Sequence, residues 1–569
     1  MTVRRKLFVF AIFCLVSLPA FSQKMYLELN LNTEYNGNPF AKPKPPLEVF
    51  RIIEKATNDK RVQGIILNIA SVSGGKNYLW ELRSELEKFK ANGKKICAFI
   101  NYADIDTYCL ASVANKIVMD DLGSLSMLGY AMGRGYAHSA LDKLGIGVRE
   151  LRYFEYKSAA ETFTRDSMSD ADRRQYNDYL DDIYSLTSAA IKDARCWTDD
   201  QYNNIINNDF LFSAKGAYNH RLIDYIGGRD EVRHAIKEIE GNDVYSFCLY
   251  GGSDSSVMGD NPAYSPPKAR SFFRKKPPVI AVVYANGETS MSQGMEAVKL
   301  AKIIRELADK QNVRAIVLRV NSPGGSAEAA DIVNKAVCYA KIFKPVVVSM
   351  GQVAASGGYW VAMNASHIVA NPYSITGSIG VIGSWFYDNG LYGKLGLNVE
   401  TIQRGAHADL ATGILIPRRN LTSREEERYK SYIIDLYDIF TEKAAAGRGM
   451  AHEKLEAVAQ GRIFSGIRAK DAGLVDSIGG LSDALRKARE LAGIPEKKTV
   501  TYEEYPKPKF IDKLLESLPL VAAVAQVFTK NKKTETVEFY ADFLLPDVNL
   551  RYRLENNGKI MPILPLDIK

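Results

Sequence analysis

Ser378 stands between two glycines in ANPYSITGSIGVIG (370–383), just ahead of an apolar run. A serine hydroxyl is a weak nucleophile and needs a proton acceptor within hydrogen-bond reach. A lysine can serve when apolar burial lowers its pKa from about 10.4 towards neutrality. Lys157, in VRELRYFEYKSAAET (148–162), has Phe154, Tyr156, Ala159 and Ala160 for neighbours. An oxyanion needs backbone donors, and NSPGGSAEAA (321–330) offers them where a buried strand opens into a helix. Pro323 fixes that turn, and Gly324 and Gly325 let a carbonyl oxygen approach the backbone. The expected hole pairs the Gly325 and Ile379 amides. VAASGGYW (353–360) offers a second serine site at Ser356, but reads more readily as a helix start whose small residues pack on a sheet.

Internal repetition supplies the elements that must hold these groups. RVQGIILNIASVSGG (61–75) matches NVRAIVLRVNSPGG (312–325), and YCLASVANKIVM (108–119) matches YWVAMNASHIVA (359–370), an offset of 251 (359 − 108). FLFSAKGAYNHRLIDYIGG (210–228) matches RIFSGIRAKDAGLVDSIGG (462–480), an offset of 252 (480 − 228). Three ordered matches at nearly one spacing identify a tandem duplication. Carried back by 251, Ser378 falls on Met127, whereas Lys157 stands opposite Ala408. One copy has serine without lysine and the other lysine without serine, the pattern expected of a site shared between halves. His407, opposite Tyr156, is the alternative base; His367 aligns with Lys116 at the head of a strand and reads as structural.

In the second copy VIAVVYA (279–285), VRAIVLRV (313–320) and KPVVVSM (344–350) are continuous apolar runs, as suits strands buried on both faces of a parallel sheet. Helix-like spacing lies between them, so the class is α/β. The expected organisation is 1–22 as a leader, 23–250 as the first repeat carrying the lysine, and 251–278 as a Gly/Ser/Pro-rich linker. The second repeat, carrying the serine, then spans 279–500, with 501–569 as a tail. MTVRRKLFVFAIFCLVSLPAFSQ has a basic start, an apolar run and an A-x-S site, the build of a cleavable secretory signal, with an uncleaved anchor as the alternative. In the tail, LPLVAAVAQVF (518–528) is too short to span a membrane and reads as a packing or subunit contact. The net charge of +8 carries no basic block of the kind that binds nucleic acid. The six cysteines lack C-x-x-C spacing, and no metal or cofactor site is legible.

RVNSPGGS, SMGQVAASGGYW, NPYSITGSIGVIG, GRIFSGIRAKDAGLVDSIGG and YKSAAETFTRDSMS together resemble the signal peptide peptidase (SppA) family in its long, duplicated form, over roughly residues 45–500. The resemblance implies two ClpP/crotonase-like domains with mainly parallel sheets flanked by helices. It also implies a Ser–Lys dyad endopeptidase, with Ser378 as nucleophile and Lys157 as general base. The substrates implied are remnant signal peptides and other hydrophobic exported segments. The protein would be a bowl-like homo-oligomer, a tetramer, on the periplasmic side of the cytoplasmic membrane, with attachment to that membrane left open. A non-catalytic oligomeric scaffold and a crotonase-type acyl-CoA enzyme are the rival readings.

Overall fold

A computed structural model describes residues 24–31, 46–69, 75–242, 245–251, 256–267 and 277–507. The leader, the apolar stretch 518–528 and Gly74 lie outside the described residues.

The apolar runs form strands. Val279–Asn286, Val313–Ser322 and Val346–Ala355 pair in parallel. The spatial order of their sheet is Ile463–Ser465, Ile375–Gly377, Val346–Ala355, Val313–Ser322, Val279–Asn286 and Thr501–Tyr505. The sheet of the other copy runs Leu211–Ser213, Lys116–Ser126, Lys95–Ala103, Val62–Ile69, Met25–Asn30 and Ser246–Tyr250, the same topology. In each, the short strand at the head of this order is antiparallel to its neighbour. Helices such as Ala297–Asp309 and Ala327–Phe343 bury one face on the sheet, and Ser326 caps the second of them by accepting the Ala329 N–H.

The duplication extends to single hydrogen bonds. Lys94 Nζ donates to the carbonyls of Ala56, Asp59 and Val62. Lys344 Nζ donates to those of Leu307, Lys310 and Val313. Tyr108 reaches the Leu222 carbonyl as Tyr359 reaches that of Leu474, at 2.8 and 2.9 Å.

Packing divides the chain differently from the repeat. The described residues within Met1–Gly129 and Leu186–Phe272 form one compact unit; those within Tyr130–Ser185 and Phe273–Lys569 form the other. The lysine segment therefore belongs, by packing, with the second copy, although by sequence it lies in the first. Part of the expected linker is also structured: the carboxylate of Glu28 accepts the Val257 and Met258 amides at 2.9 and 3.1 Å. The tail begins later than 501, because Thr501–Tyr505 is a strand pairing with Val279–Asn286. Among the described residues, no helix is long and apolar enough to cross a membrane.

Candidate active site

Lys157 follows the strand Ile146–Leu151, and the chain on both sides of it is pinned. Before it, Phe154 stacks on Tyr437 with ring centroids 3.8 Å apart, and the Tyr156 N–H donates to the Gln460 carbonyl at 2.9 Å. After it, the buried guanidinium of Arg134 donates to the Ser158 and Ala159 carbonyls at 2.7 and 3.2 Å and to Asp172 at 2.7 Å. The lysine itself is 0% exposed. Its Nζ lies 2.8 Å from Ser356 Oγ, 2.8 Å from the Ser378 carbonyl oxygen and 2.9 Å from Ser378 Oγ. No carboxylate among the described residues pairs with it, and burial holds its pKa well below the ordinary lysine value.

The two serines differ in setting. Ser378 follows the strand Ile375–Gly377 at φ 49°, and its N–H donates to the Arg462 carbonyl at 2.7 Å. Ser356 is the corner between the strand Val346–Ala355 and the helix Gly357–Ala362, at φ 56° and ψ −118°. That backbone is sparsely populated for a residue with a side chain and stores on the order of 1–3 kcal/mol. The Ser356 side chain does not cap its helix; its Oγ faces Lys157 instead. A strained strand-to-helix turn that holds up a hydroxyl is the geometry of a nucleophile elbow.

Gly357, just after the corner, permits a close approach. A Cβ there would lie 2.6 Å from Thr289 Oγ1 and 3.2 Å from Gly324 Cα. The Gly324–Gly325 turn is thus held against the elbow. It is anchored by Thr289, whose N–H donates to Gly324 O and whose carbonyl accepts from the Ser326 N–H, both at 2.8 Å. As the first residue of its helix, Gly357 has no intrahelical acceptor for its own amide.

Measured against the sequence, the structure puts Lys157 Nζ beside Ser378, as the complementary loss suggests, and adds Ser356, for which the sequence favoured a helix start over a site. The two amides expected at the oxyanion hole have different surroundings. Ile379 is fully buried and its carbonyl accepts the Gly461 N–H at 2.7 Å, while the residue brought against Gly324 is Gly357. His407 is engaged elsewhere: its Nδ1 lies 2.7 Å from Glu425 Oε1, in a cluster where Arg419 also binds Glu425 and Asp409. His367 sits 2.9 Å from Ser477 Oγ, and burial lowers its pKa.

The family model described as Peptidase family S49 matches residues 88–242 and 339–495, one stretch in each copy. The chain belongs to this family. It is a serine protease. The protease is 31% identical over 468 residues to the chloroplastic serine protease SPPA of Arabidopsis thaliana, covering 80% of this chain and 67% of that protein. It is 30% identical over 492 residues to Protease 4 of Salmonella typhi, covering 83% and 75%. With Protease 4 of Haemophilus influenzae the identity is 29% over 476 residues, covering 81% and 75%. Membership sets aside the acyl-CoA reading.

Proposed function

We propose that the protease cuts hydrophobic exported peptides, remnants of signal peptides among them, with Ser356 as nucleophile and Lys157 as general base. The observation that carries this assignment is the strained corner at Ser356, with its Oγ 2.8 Å from a fully buried amine. A neutral amine has two N–H donors and one lone pair. Both donors are used if Nζ donates to the carbonyl oxygen and the hydroxyl of Ser378, which leaves the lone pair for the Ser356 O–H. Ser356 Oγ then attacks the scissile carbonyl carbon as its proton passes to Nζ. The resulting oxyanion is held by the Gly325 and Gly357 amides. Collapse breaks the C–N bond, and the leaving amine takes the proton from Nζ. Water, deprotonated by the same amine, then hydrolyses the acyl-enzyme and restores Ser356.

The second reading keeps Ser378 as nucleophile, which its own 2.9 Å distance to Nζ favours. Labelling with a fluorophosphonate, followed by mapping of the modified peptide, separates the two. An adduct on Ser356 is expected; an adduct on Ser378 would support the second reading. An unlabelled protein that is inert towards fluorogenic hydrophobic peptides would return the scaffold reading.

The substrate class rests on the SppA-like motifs and the leader-like N-terminus, which also support export to the periplasmic side. Assembly into a homo-oligomer, a tetramer, is supported by the segment 399–412, the second-copy counterpart of the lysine segment. It and the turn after it leave Ile402, Ile414 and Leu415 94%, 55% and 63% exposed. Light scattering on the parent and on Ile402→Asp tests this, since the variant is expected to fall to a smaller species.

A further inference from the structure

We infer that the turn Gln460–Gly461–Arg462 sets the spacing between the base and the serine corner, and that Gly461 is its positioning residue. The inference rests on the reading of Lys157 as base. Three consecutive backbone groups of this turn engage the two sides of the site. The Gln460 carbonyl accepts the Tyr156 N–H at 2.9 Å, next to the lysine. The Gly461 N–H donates to the Ile379 carbonyl at 2.7 Å, and the Arg462 carbonyl accepts the Ser378 N–H at 2.7 Å. One residue before Ser378, the Gly377 carbonyl accepts the Ser356 N–H at 2.9 Å. A continuous ladder of main-chain bonds thus runs from the lysine loop to the elbow.

Gly461 is the rung that leaves room for the lysine. Its φ is +80°, and a Cβ on it would lie 2.6–2.8 Å from the Cβ, N and Cα of Lys157. From the opposite side, a Cβ on Gly380 would lie 2.9 Å from Gly461 Cα and 3.2 Å from Lys157 Cδ. The lysine stem therefore packs against two bare α-carbons. The turn is braced from behind: Tyr437 Oη accepts the Gln460 N–H at 3.2 Å and donates to Glu456 at 2.7 Å, and Gln460 Nε2 donates to Glu456 as well.

The other copy supplies the contrast. There the Met127 N–H donates to the Phe210 carbonyl at 2.7 Å, the same rung as Ser378 to Arg462. The residue opposite Gly461 is Asp209, which accepts from Asn204 Nδ2 at 2.7 Å. The rung persists where no lysine has to pass, and the glycine does not.

The test compares parent, Gly461→Ala, Tyr437→Phe, Lys157→Ala and Gly449→Ala, reading kcat, KM, the pH profile of kcat/KM and Tm. Gly449 is the control, a helix-ending glycine at φ +61° with nothing within 4 Å of a built Cβ. Gly461→Ala is expected to lower kcat by about 100-fold, the scale of a displacement near 1 Å at the reacting groups. KM should stay within about threefold, and the acidic limb should move to higher pH as the amine leaves its buried slot. Tm is expected to fall further than in Gly449→Ala, because the added Cβ meets the Lys157 backbone, so the pH profile carries the decision. A parental pH profile in Gly461→Ala, whatever its Tm, overturns the inference. Should that variant not fold, Tyr437→Phe decides: a several-fold lower kcat with the limb moved upward supports positioning, and an unmoved limb overturns it. Activity surviving in Lys157→Ala would instead sink the base assignment, independently of Gly461.

Discussion

The two copies turn the same corner in different ways. In the first, the strand Lys95–Ala103 passes through Asp104 into the helix Ile105–Ala111; Asp104 is extended, at φ −92° and ψ −177°, and its side chain accepts the Thr107 N–H as an ordinary cap. In the second, Val346–Ala355 passes through Ser356 at φ 56° and ψ −118°, with no cap bond. Asp104 satisfies a helix end that would otherwise be open. Ser356 leaves that end open and accepts backbone strain, and in return its hydroxyl is free to meet Lys157. One corner caps its helix; the other, on the proposed assignment of Ser356 as nucleophile, gives up stability for chemistry.

The sharpest way to break this contrast is Ser356→Ala, which should cut turnover on the order of 10⁴-fold or more while leaving the far-ultraviolet spectrum and the oligomer unchanged. Near-parental turnover would make Ser356 a mere corner. Lys157→Met comes next, with a loss of roughly 10³-fold or more and a second signature in stability. A buried lysine whose pKa is lowered binds its proton in the unfolded chain before it does in the folded one. The parent should therefore gain stability as pH rises from the folded pKa towards about 10.4, and the methionine variant should lose that gain. Urea melts across that range check it; parallel slopes would mean that the amine is not buried. Ser378→Ala is expected to cost about 10–100-fold in kcat and to move the acidic limb, because the hydroxyl orients Nζ. A loss equal to that of Ser356→Ala would reverse the two roles. The smallest effect belongs to the other corner: Asp104→Ala should lower stability by about 1 kcal/mol and leave kcat/KM alone, as a thermal melt beside a peptide assay would show.

The fold was largely legible because duplication is written in side chains. Apolar runs at nearly one offset mark equivalent strands, and lysines at 94 and 344 recur where each staples three carbonyls. The lysine was legible through its absence opposite Ala408. Ser356 was not, for two reasons. Its distinguishing property is a pair of dihedral angles, and VAASGGYW has the composition of any close-packed helix start. The offset of 251 also pairs it with Ile105, whereas the strand-to-helix corner is occupied by Asp104, so a slip of one residue hid the informative comparison. His407 looked like a base by position alone; Glu425, eighteen residues further on, is what it binds. Assigning residues 130–185 by sequence placed them with the first copy, because strand order in the chain does not reveal which core a segment joins.

The lysine staples join residues fewer than forty positions apart, whereas the amine of Lys157 meets hydroxyls 199 and 221 positions downstream. During synthesis, each staple can close as soon as its own stretch has been made. The site has to wait for the second copy, up to the turn that carries Gly461. A chain still being made, or one cut short before that turn, can hold folded structure and yet have no assembled site, so the duplicated plan delays activity until the second copy has been translated past Gly461.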